Sequence, residues 1–223
     1  MSETGSAGGS RRWLLIAIAV VLVAALAFAI GRFSTFGGAV STAPASDSAE
    51  AGFARDMQVH HAQAIQMAME IYRKTEDVEL RVLSYDIATS QSGQRGEMFD
   101  WLVQWRLPQS GAPMMAWMTQ SDAGHDHGGT ASAPMTDEEA RRAMGMASED
   151  EIAALEDATG QEADCLFLEL MIRHHQGAIP MAEAVIDLGE EPRVLEVASS
   201  MKSGQTAEID AMKSMQTRLG CGG

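Results

Sequence analysis

The chain has 223 residues, of which 16 are methionine and 5% are aromatic, and its formal net charge is −15. Such an acidic chain repels nucleic acid and anionic lipid headgroups, which excludes nucleic-acid binding as its function. Ala, Met, Leu, Glu and Gln dominate, and no alternating run of β-branched residues indicates a strand, so the composition predicts an all-α protein.

An apolar run near the N-terminus predicts a transmembrane helix over residues 13–30. A helix of this length rises about 27 Å, close to the hydrocarbon thickness of a bilayer. Arg11 and Arg12 precede the run, so we expect a single-pass protein of the cell membrane with residues 1–12 in the cytoplasm. The alternative is a signal peptide cleaved near Ala29, which makes the protein secreted. Both interpretations place the main domain outside the cytoplasm.

Downstream of this run, the sequence predicts a tether, a helical domain and a short tail. Residues 31–47 are rich in Gly, Ser, Ala and Thr and are expected to form a flexible tether. Residues 48–219 form the domain, and residues 220–223 form the tail. Capping residues and apolar periodicity predict four long helices, at residues 48–74, 77–105, 161–188 and 192–219.

The middle of the domain is a poor helix former. Residues 108–134 are expected to form a long loop, followed by two short helices. Thr136 opens the first of these with a capping-box pattern, and Ser148 opens the second.

The first and third long helices carry the same motif. Met57-x-x-His60-His61 recurs as Met171-x-x-His174-His175, an offset of 114 positions. The small and thioether residues that follow each doublet keep this offset: Ala64, Met67, Ala178 and Met181. At about 100° per residue, each set lies on one helix face about 120° wide. The repeat therefore predicts two halves that face each other.

Each half is predicted to be a hairpin of two long helices. Similar residues in the second and fourth helices occur at other offsets, 111 for Gln94 and Gln205 and 112 for Val82 and Val194, so we expect the two turns to differ by a few residues. A helix pair alone leaves its apolar stripe exposed, so two hairpins should pair as a four-helix bundle with approximate two-fold symmetry. Pro180 lies inside the third helix and is expected to kink it.

Paired imidazoles flanked by thioethers indicate a soft-metal site. Copper fits this donor set, with Cu(I) favoured and Cu(II) or zinc as alternatives. The predicted ligands are the two doublets and the methionines beside them: His60, His61, His174, His175, Met57, Met67, Met171 and Met181. Because ligation requires neutral imidazole, binding should weaken as the pH falls through about 6.5. The alternative interpretation is an ordinary core, in which methionine fills gaps and the histidines are hydrogen-bonded.

The central loop contains a weaker candidate metal site. His125 and His127 form a His-x-His pair that is typical of Cu(II) or Zn(II) chelation. Three methionines precede it and suit Cu(I): Met114, Met115 and Met118. The alternative interpretation is an acidic loop that binds no metal.

The two cysteines, Cys165 and Cys221, lie near the start of the third long helix and just after the fourth. An antiparallel hairpin brings these positions together, and an exported domain retains disulfides, so we predict a disulfide between them. Metal ligation is the weaker alternative, because neither cysteine belongs to a CxxC pair.

These motifs resemble the signature of a known family. The two His-His motifs, together with Met144-Gly145-Met146 and Phe167, are similar to the family catalogued as domain of unknown function number 305. The resemblance covers about residues 50–215, without much of the central loop. It implies a ferritin-like four-helix fold, export, and an association with copper binding or resistance in bacteria.

The function predicted from these observations is copper sequestration, resistance or hand-off at the cell envelope, and not catalysis. A copper-handling protein is the candidate partner. Two alternatives remain open. One is a ferritin-like metal oxidase, which the absence of any Glu-x-x-His motif disfavours. The other is a structural or partner-binding bundle without metal.

Overall fold

A computed structural model describes residues 8–34, 43–118 and 135–221 of the chain. Within these ranges the protein forms seven helices and no strand, which confirms the all-α prediction. The helices are α1 (Gly8–Ser34), α2 (Ala49–Lys74), α3 (Val78–Gln104), α4 (Asp137–Ala143), α5 (Glu149–Asp157), α6 (Gly160–Leu188) and α7 (Pro192–Leu219). The chain divides into two compact units, Met1–Ala43 and Pro44–Gly223.

The first unit contains α1. Its large apolar side chains between Trp13 and Phe28 are exposed, and both of these aromatic residues are 73% exposed. Among the described residues, no helix meets the length and apolarity that a membrane crossing requires. The transmembrane helix predicted over residues 13–30 is therefore unconfirmed.

Local signals set the starts of the bundle helices. The Ser48 side chain accepts a hydrogen bond from the Ala51 amide at the start of α2, and the Asp77 carboxylate does the same for Leu80 in α3. At α4, Thr136 and Glu139 form the reciprocal pair of bonds that its sequence predicts. An equivalent capping box opens α5.

The second unit is built on α2 and α6, which pack antiparallel. Phe53 near the start of α2 shares a core cluster with Val185 near the end of α6. Ile71 near the end of α2 shares the other cluster with Ala163 near the start of α6. Helix α3 packs on α2 and α7 packs on α6, so the predicted pair of hairpins forms a four-helix bundle.

The turns of the two hairpins are equal in length, so the expected difference between the turns is wrong. Helices α2 and α6 end 114 residues apart, at Lys74 and Leu188, and α3 and α7 begin 114 residues apart, at Val78 and Pro192. One constant offset therefore relates the two halves. The offset of 111 suggested by Gln94 and Gln205 is therefore wrong by about one helical turn. It looks plausible in the sequence because residues three apart lie on the same helix face and are similar in type.

Burial follows the offset of 114 in α3 and α7. Gln91 and Gln205 are both buried at this offset, as are Met98 and Met212. The bundle is therefore a structural repeat with a two-fold relation between its hairpins. Helix α6 continues through Pro180 as one helical element, so the proline does not divide it.

The connection between α4 and α5 packs across α2 and α6. The Gln63 amide of α2 donates to the Ala147 carbonyl at 2.8 Å and accepts from the Ala147 amide at 2.7 Å. On the other side, Gly145 has φ +71°, and the Met144 carbonyl lies against Gly177 of α6. A Cβ atom at Gly177 would lie 1.9 Å from that carbonyl oxygen. Glycine at this position therefore allows the connection to touch the helix backbone.

A disulfide joins the first turns of α6 to the residue that follows α7 and its cap. Cys165 and Cys221 are bonded, their Cα atoms are 5.3 Å apart, and 56 positions separate them in the chain. By the chain-entropy argument, closing a loop of this size stabilises the fold by about 4 kcal/mol. The disulfide removes both sulfurs from the possible metal ligands.

Gly177→Ala should destabilise the domain by about 1–3 kcal/mol, because the added methyl group forces two backbone segments apart. The matched control is Gly96→Ala on α3, where an added Cβ meets nothing within 4 Å. This control should gain about 0.5–1 kcal/mol from helix propensity. Urea unfolding of both variants measures the difference, and a Gly177→Ala protein as stable as the control would refute the packing argument.

Candidate metal centre

The crossing of α2 and α6 brings the two histidine doublets together. All four imidazoles are fully buried. The inner residues, His60 and His174, stack with their ring centroids 3.6 Å apart and their planes inclined by 29°. The outer residues lie further away, His61 at 6.2 Å from His60 and His175 at 6.3 Å from His174. The doublets thus form one contiguous group at the middle of the bundle.

The outer histidines are held by α3 and α7. His61 donates its Nε2 proton to the Gln94 Oε1 atom at 2.8 Å. His175 donates its Nε2 proton to the Glu208 carboxylate at 2.7 Å. Each partner follows its histidine by 33 residues, so Gln94 and Glu208 are equivalent positions of the repeat.

The inner histidines have unequal surroundings. His60 donates its Nε2 proton to the Met144 carbonyl at 3.0 Å. Neither ring nitrogen of His174 has a hydrogen-bond partner. The connection between α4 and α5 occurs once in the chain, so it covers the inner histidine of one half only.

Several buried ring nitrogens have no partner. In His60 and His61 the proton lies on Nε2, which leaves an unshared electron pair on Nδ1 of the neutral ring. The Nδ1 atoms of all four histidines lack a hydrogen bond. Buried polar atoms without partners are rare in folded proteins and often indicate a bound ion or water. Here they are the atoms through which imidazole binds metals.

Burial keeps these histidines neutral. Loss of solvation lowers the pKa of His60 to about 3, and the neighbouring His61 adds to the effect. Burial likewise lowers the pKa of His61 to about 4 and that of His174 well below its usual value. His60, His61 and His174 are therefore in the form that ligates metal throughout the neutral range.

The four predicted thioether residues flank the doublets at both ends. Met57 and Met181 belong to the core cluster at the end of the bundle that contains the N-terminus of α2. Met67 and Met171 belong to the cluster at the opposite end. All four are at most 1% exposed. Each end thus receives one methionine from each half of the repeat.

The structure describes part of the weaker site in the central loop. Met114, Met115 and Met118 are half-buried against the cluster that contains Met57. The segment is held by Asp56, whose Oδ2 atom accepts hydrogen bonds from the Met115 amide and from Nε1 of Trp117, both at 2.8 Å. The predicted ligands His125 and His127 lie outside the described residues.

Sequence reasoning missed three groups that touch the histidines: Gln94, Glu208 and the Met144 carbonyl. One of these groups is an inward carboxylate, Glu208, which contacts His175. Applying the offset of 114 to α3 and α7 pairs Gln94 with Glu208 and reveals these positions. No sequence signal predicts the contact with the Met144 carbonyl, because every residue has a backbone carbonyl.

The described residues contain no group of three His, Cys, Asp or Glu side chains arranged to hold a metal ion. The stack explains this, because stacked rings turn their faces toward each other and their nitrogen atoms to the sides. Imidazole nitrogens and thioether sulfurs together suit copper better than a hard cation.

Comparison with known proteins places the chain in a family. The family model described as a domain of unknown function, DUF305, matches residues 50–216. A candidate secreted DUF305 protein from Streptomyces coelicolor is 35% identical with a TM-score of 0.67, covering 79% of this chain and 96% of its own. A DUF305 fragment from Deinococcus radiodurans is 32% identical with a TM-score of 0.61, covering 76% and 96%.

CopM, a protein solved with bound metal, is also similar. Its Cu(I)-bound form is 26% identical to this chain with a TM-score of 0.55, and the match covers 77% of this chain and 96% of CopM. CopM has also been solved with Cu(II) and with silver. No protein with a curated functional description matches significantly. With its ferritin-like bundle and with the family model matched over residues 50–216, the chain belongs to the DUF305 family.

Proposed function

We propose that this protein binds copper outside the cytoplasm and holds Cu(I) between its two buried histidine doublets. The observation that carries the proposal is the group of four fully buried imidazoles whose Nδ1 atoms have no hydrogen-bond partner. A folded protein retains such atoms at a cost, because each one loses its hydrogen bonds to water. A metal ion that accepts the free electron pairs removes that cost.

The donor set suits a soft ion of low charge. Cu(I) is well matched to neutral imidazole and thioether ligands, and lowered pKa values keep His60, His61 and His174 neutral. His60, His61, His174 and His175 are the proposed imidazole ligands, and they require the inner stack to open. The thioether donors are the methionines that flank them at each end of the bundle: Met57, Met67, Met171 and Met181.

The relatives support this assignment. CopM, at 26–27% identity, was crystallised with Cu(I), with Cu(II) and with silver, which is a soft monovalent ion. We infer sequestration or hand-off of copper and not catalysis. A ferritin-type oxidase requires several inward carboxylates, whereas the doublets are contacted by the amide Gln94 and the carboxylate Glu208. The loop residues Met114, Met115, Met118, His125 and His127 are proposed as a secondary binding segment.

Removing the imidazoles should abolish tight binding. In the variant His60→Gln/His61→Gln/His174→Gln/His175→Gln, Cu(I) affinity should fall by roughly 100-fold or more, because even residues that only support metal ligands contribute about 10–100-fold. Competition with a Cu(I) chelator measures the affinity, and circular dichroism verifies the fold.

The matched control for this experiment is His125→Ala/His127→Ala, which removes the loop histidines and should retain the tight site. Unchanged affinity in the bundle variant, with loss in the loop variant, would move the site to the loop and defeat the proposal.

The lowered pKa values correct the expected pH dependence. In the folded protein, His60 and His61 take up protons only near pH 4 and below, so copper binding through these two ligands should vary little between pH 7 and pH 5 instead of weakening near 6.5. A fall in pH instead lowers the free energy of unfolding of the metal-free protein. The unfolded chain takes up protons below about 6.5, so folding is most stable above that pH and loses stability as the pH falls toward 4.

For the metal-free protein, acidification from pH 7 to pH 5 should cost about 2 kcal/mol of stability for each of His60 and His61, and His174 should add to the loss in the same direction. Urea unfolding at several pH values measures the slope. The variant His60→Gln/His174→Gln should show a shallower slope than the unaltered chain. Equal slopes would mean that these histidines are accessible to protons in the folded state.

We further propose that the N-terminal unit tethers the domain to the cell membrane, with residues 1–12 in the cytoplasm. The exposed apolar side chains from Trp13 to Phe28 support this role, and a related protein described as a candidate secreted protein supports export. In cells, the full chain should remain in the membrane pellet after alkaline carbonate extraction, and a chain that starts at Pro44 should not. Recovery of the full chain in the soluble fraction would contradict the anchor.

A further inference from the structure

The two outer histidines have equivalent but chemically different partners. Gln94 and Glu208 occupy the same position of the repeat, each 33 residues after the histidine that it binds. Both accept the Nε2 proton, at 2.8 Å and 2.7 Å, and leave Nδ1 free. The geometry of the two halves is therefore nearly the same, while one partner is a neutral amide and the other a carboxylate.

The following residue increases this difference. Arg95 comes after Gln94, whereas Ile209 comes after Glu208. Burial is the main cause of the lowered pKa of His61, and the positive charge of Arg95 adds to it. Position 209 is an apolar residue buried in the core. Across the two-fold relation, the half that contains His61 carries extra positive charge and the half that contains His175 carries extra negative charge.

A hydrogen bond to a carboxylate changes what an imidazole offers a metal. The carboxylate draws the Nε2 proton toward itself, which makes Nδ1 a stronger electron donor and orients the ring. Its negative charge also lies one ring away from the bound ion. Both effects stabilise Cu(II), with its higher charge, more than Cu(I). A neutral amide orients the ring without adding charge.

We propose that Glu208 is the positioning residue that sets the oxidation-state preference of the copper centre, and that Gln94 is its neutral counterpart. The inference rests on the proposed copper-binding function. In this arrangement, the neutral imidazoles and thioethers favour Cu(I), and the pair formed by His175 and Glu208 raises the affinity for Cu(II) enough for both states to be held. The two doublets are then unequal: the His175 side binds the more highly charged ion better.

Two substitutions test the proposal in opposite directions. Glu208→Gln should lower the Cu(II) affinity about tenfold relative to the Cu(I) affinity, and Gln94→Glu should raise the same ratio by a similar factor. For a one-electron couple, a tenfold change in the ratio is a shift of 59 mV in reduction potential, upward for Glu208→Gln and downward for Gln94→Glu. Chelator competition with each ion, and redox titration of the loaded protein, measure these values.

Glu196→Gln is the matched control, because it removes one carboxylate from the same helix at a side chain that is 71% exposed and paired with Arg193. It should leave the potential unchanged. Silver, which is not reduced or oxidised under these conditions, shows whether the site itself is intact in each variant. Melting curves of the metal-free variants verify the fold.

The outcomes separate this inference from the proposed function. If Glu208→Gln lowers the affinities for Cu(I), Cu(II) and silver by the same factor, Glu208 only maintains the shape of the site and the inference is overturned. If Gln94→Glu leaves the ratio unchanged, the inference is overturned as well, even where Glu208→Gln fails to fold. Failure of the unaltered chain to bind copper would instead overturn the proposed function.

Discussion

The burial of four imidazoles at the crossing of α2 and α6 is the constraint on which the rest of the structure depends. A charged imidazole loses its hydration energy there, so the pKa of His60 falls to about 3, and His60, His61 and His174 remain neutral. Each neutral ring still carries one proton that requires an acceptor. Gln94, Glu208 and the Met144 carbonyl provide three acceptors, and they come from three different parts of the chain.

The internal repeat explains the two-fold symmetry of the bundle. Two hairpins with turns of equal length bury the same face and bring one inner histidine from each half into a stack. Elements outside the repeat make the halves unequal. The connection between α4 and α5 covers one side of the doublets and is held by Gln63 and by its close contact with Gly177. A group that is symmetric in its histidines thus becomes asymmetric in its surroundings.

This asymmetry affects how the bundle would open under the proposed function. Under the proposed function, the stacked and buried pair of His60 and His174 opens to admit an ion. The disulfide between Cys165 and Cys221 limits motion at one end of the α6–α7 hairpin. Ion pairs between Arg218 and Asp77 join α7 to the start of α3 at the same end. An opening motion is therefore expected to be local to the doublets and not a separation of the helices.

The sequence by itself determined the helices, the two hairpins and the duplicated doublets, because capping residues and 3.6-residue periodicity are local properties. It did not determine which residue of α7 is equivalent to a given residue of α3. Gln94 resembles Gln205 at an offset of 111, but residues one turn apart share a helix face, and only packing selected Glu208 as the true equivalent. The stack of His60 on His174 and the Met144 carbonyl also required tertiary structure, because a crossing point and a backbone acceptor leave no pattern in the sequence.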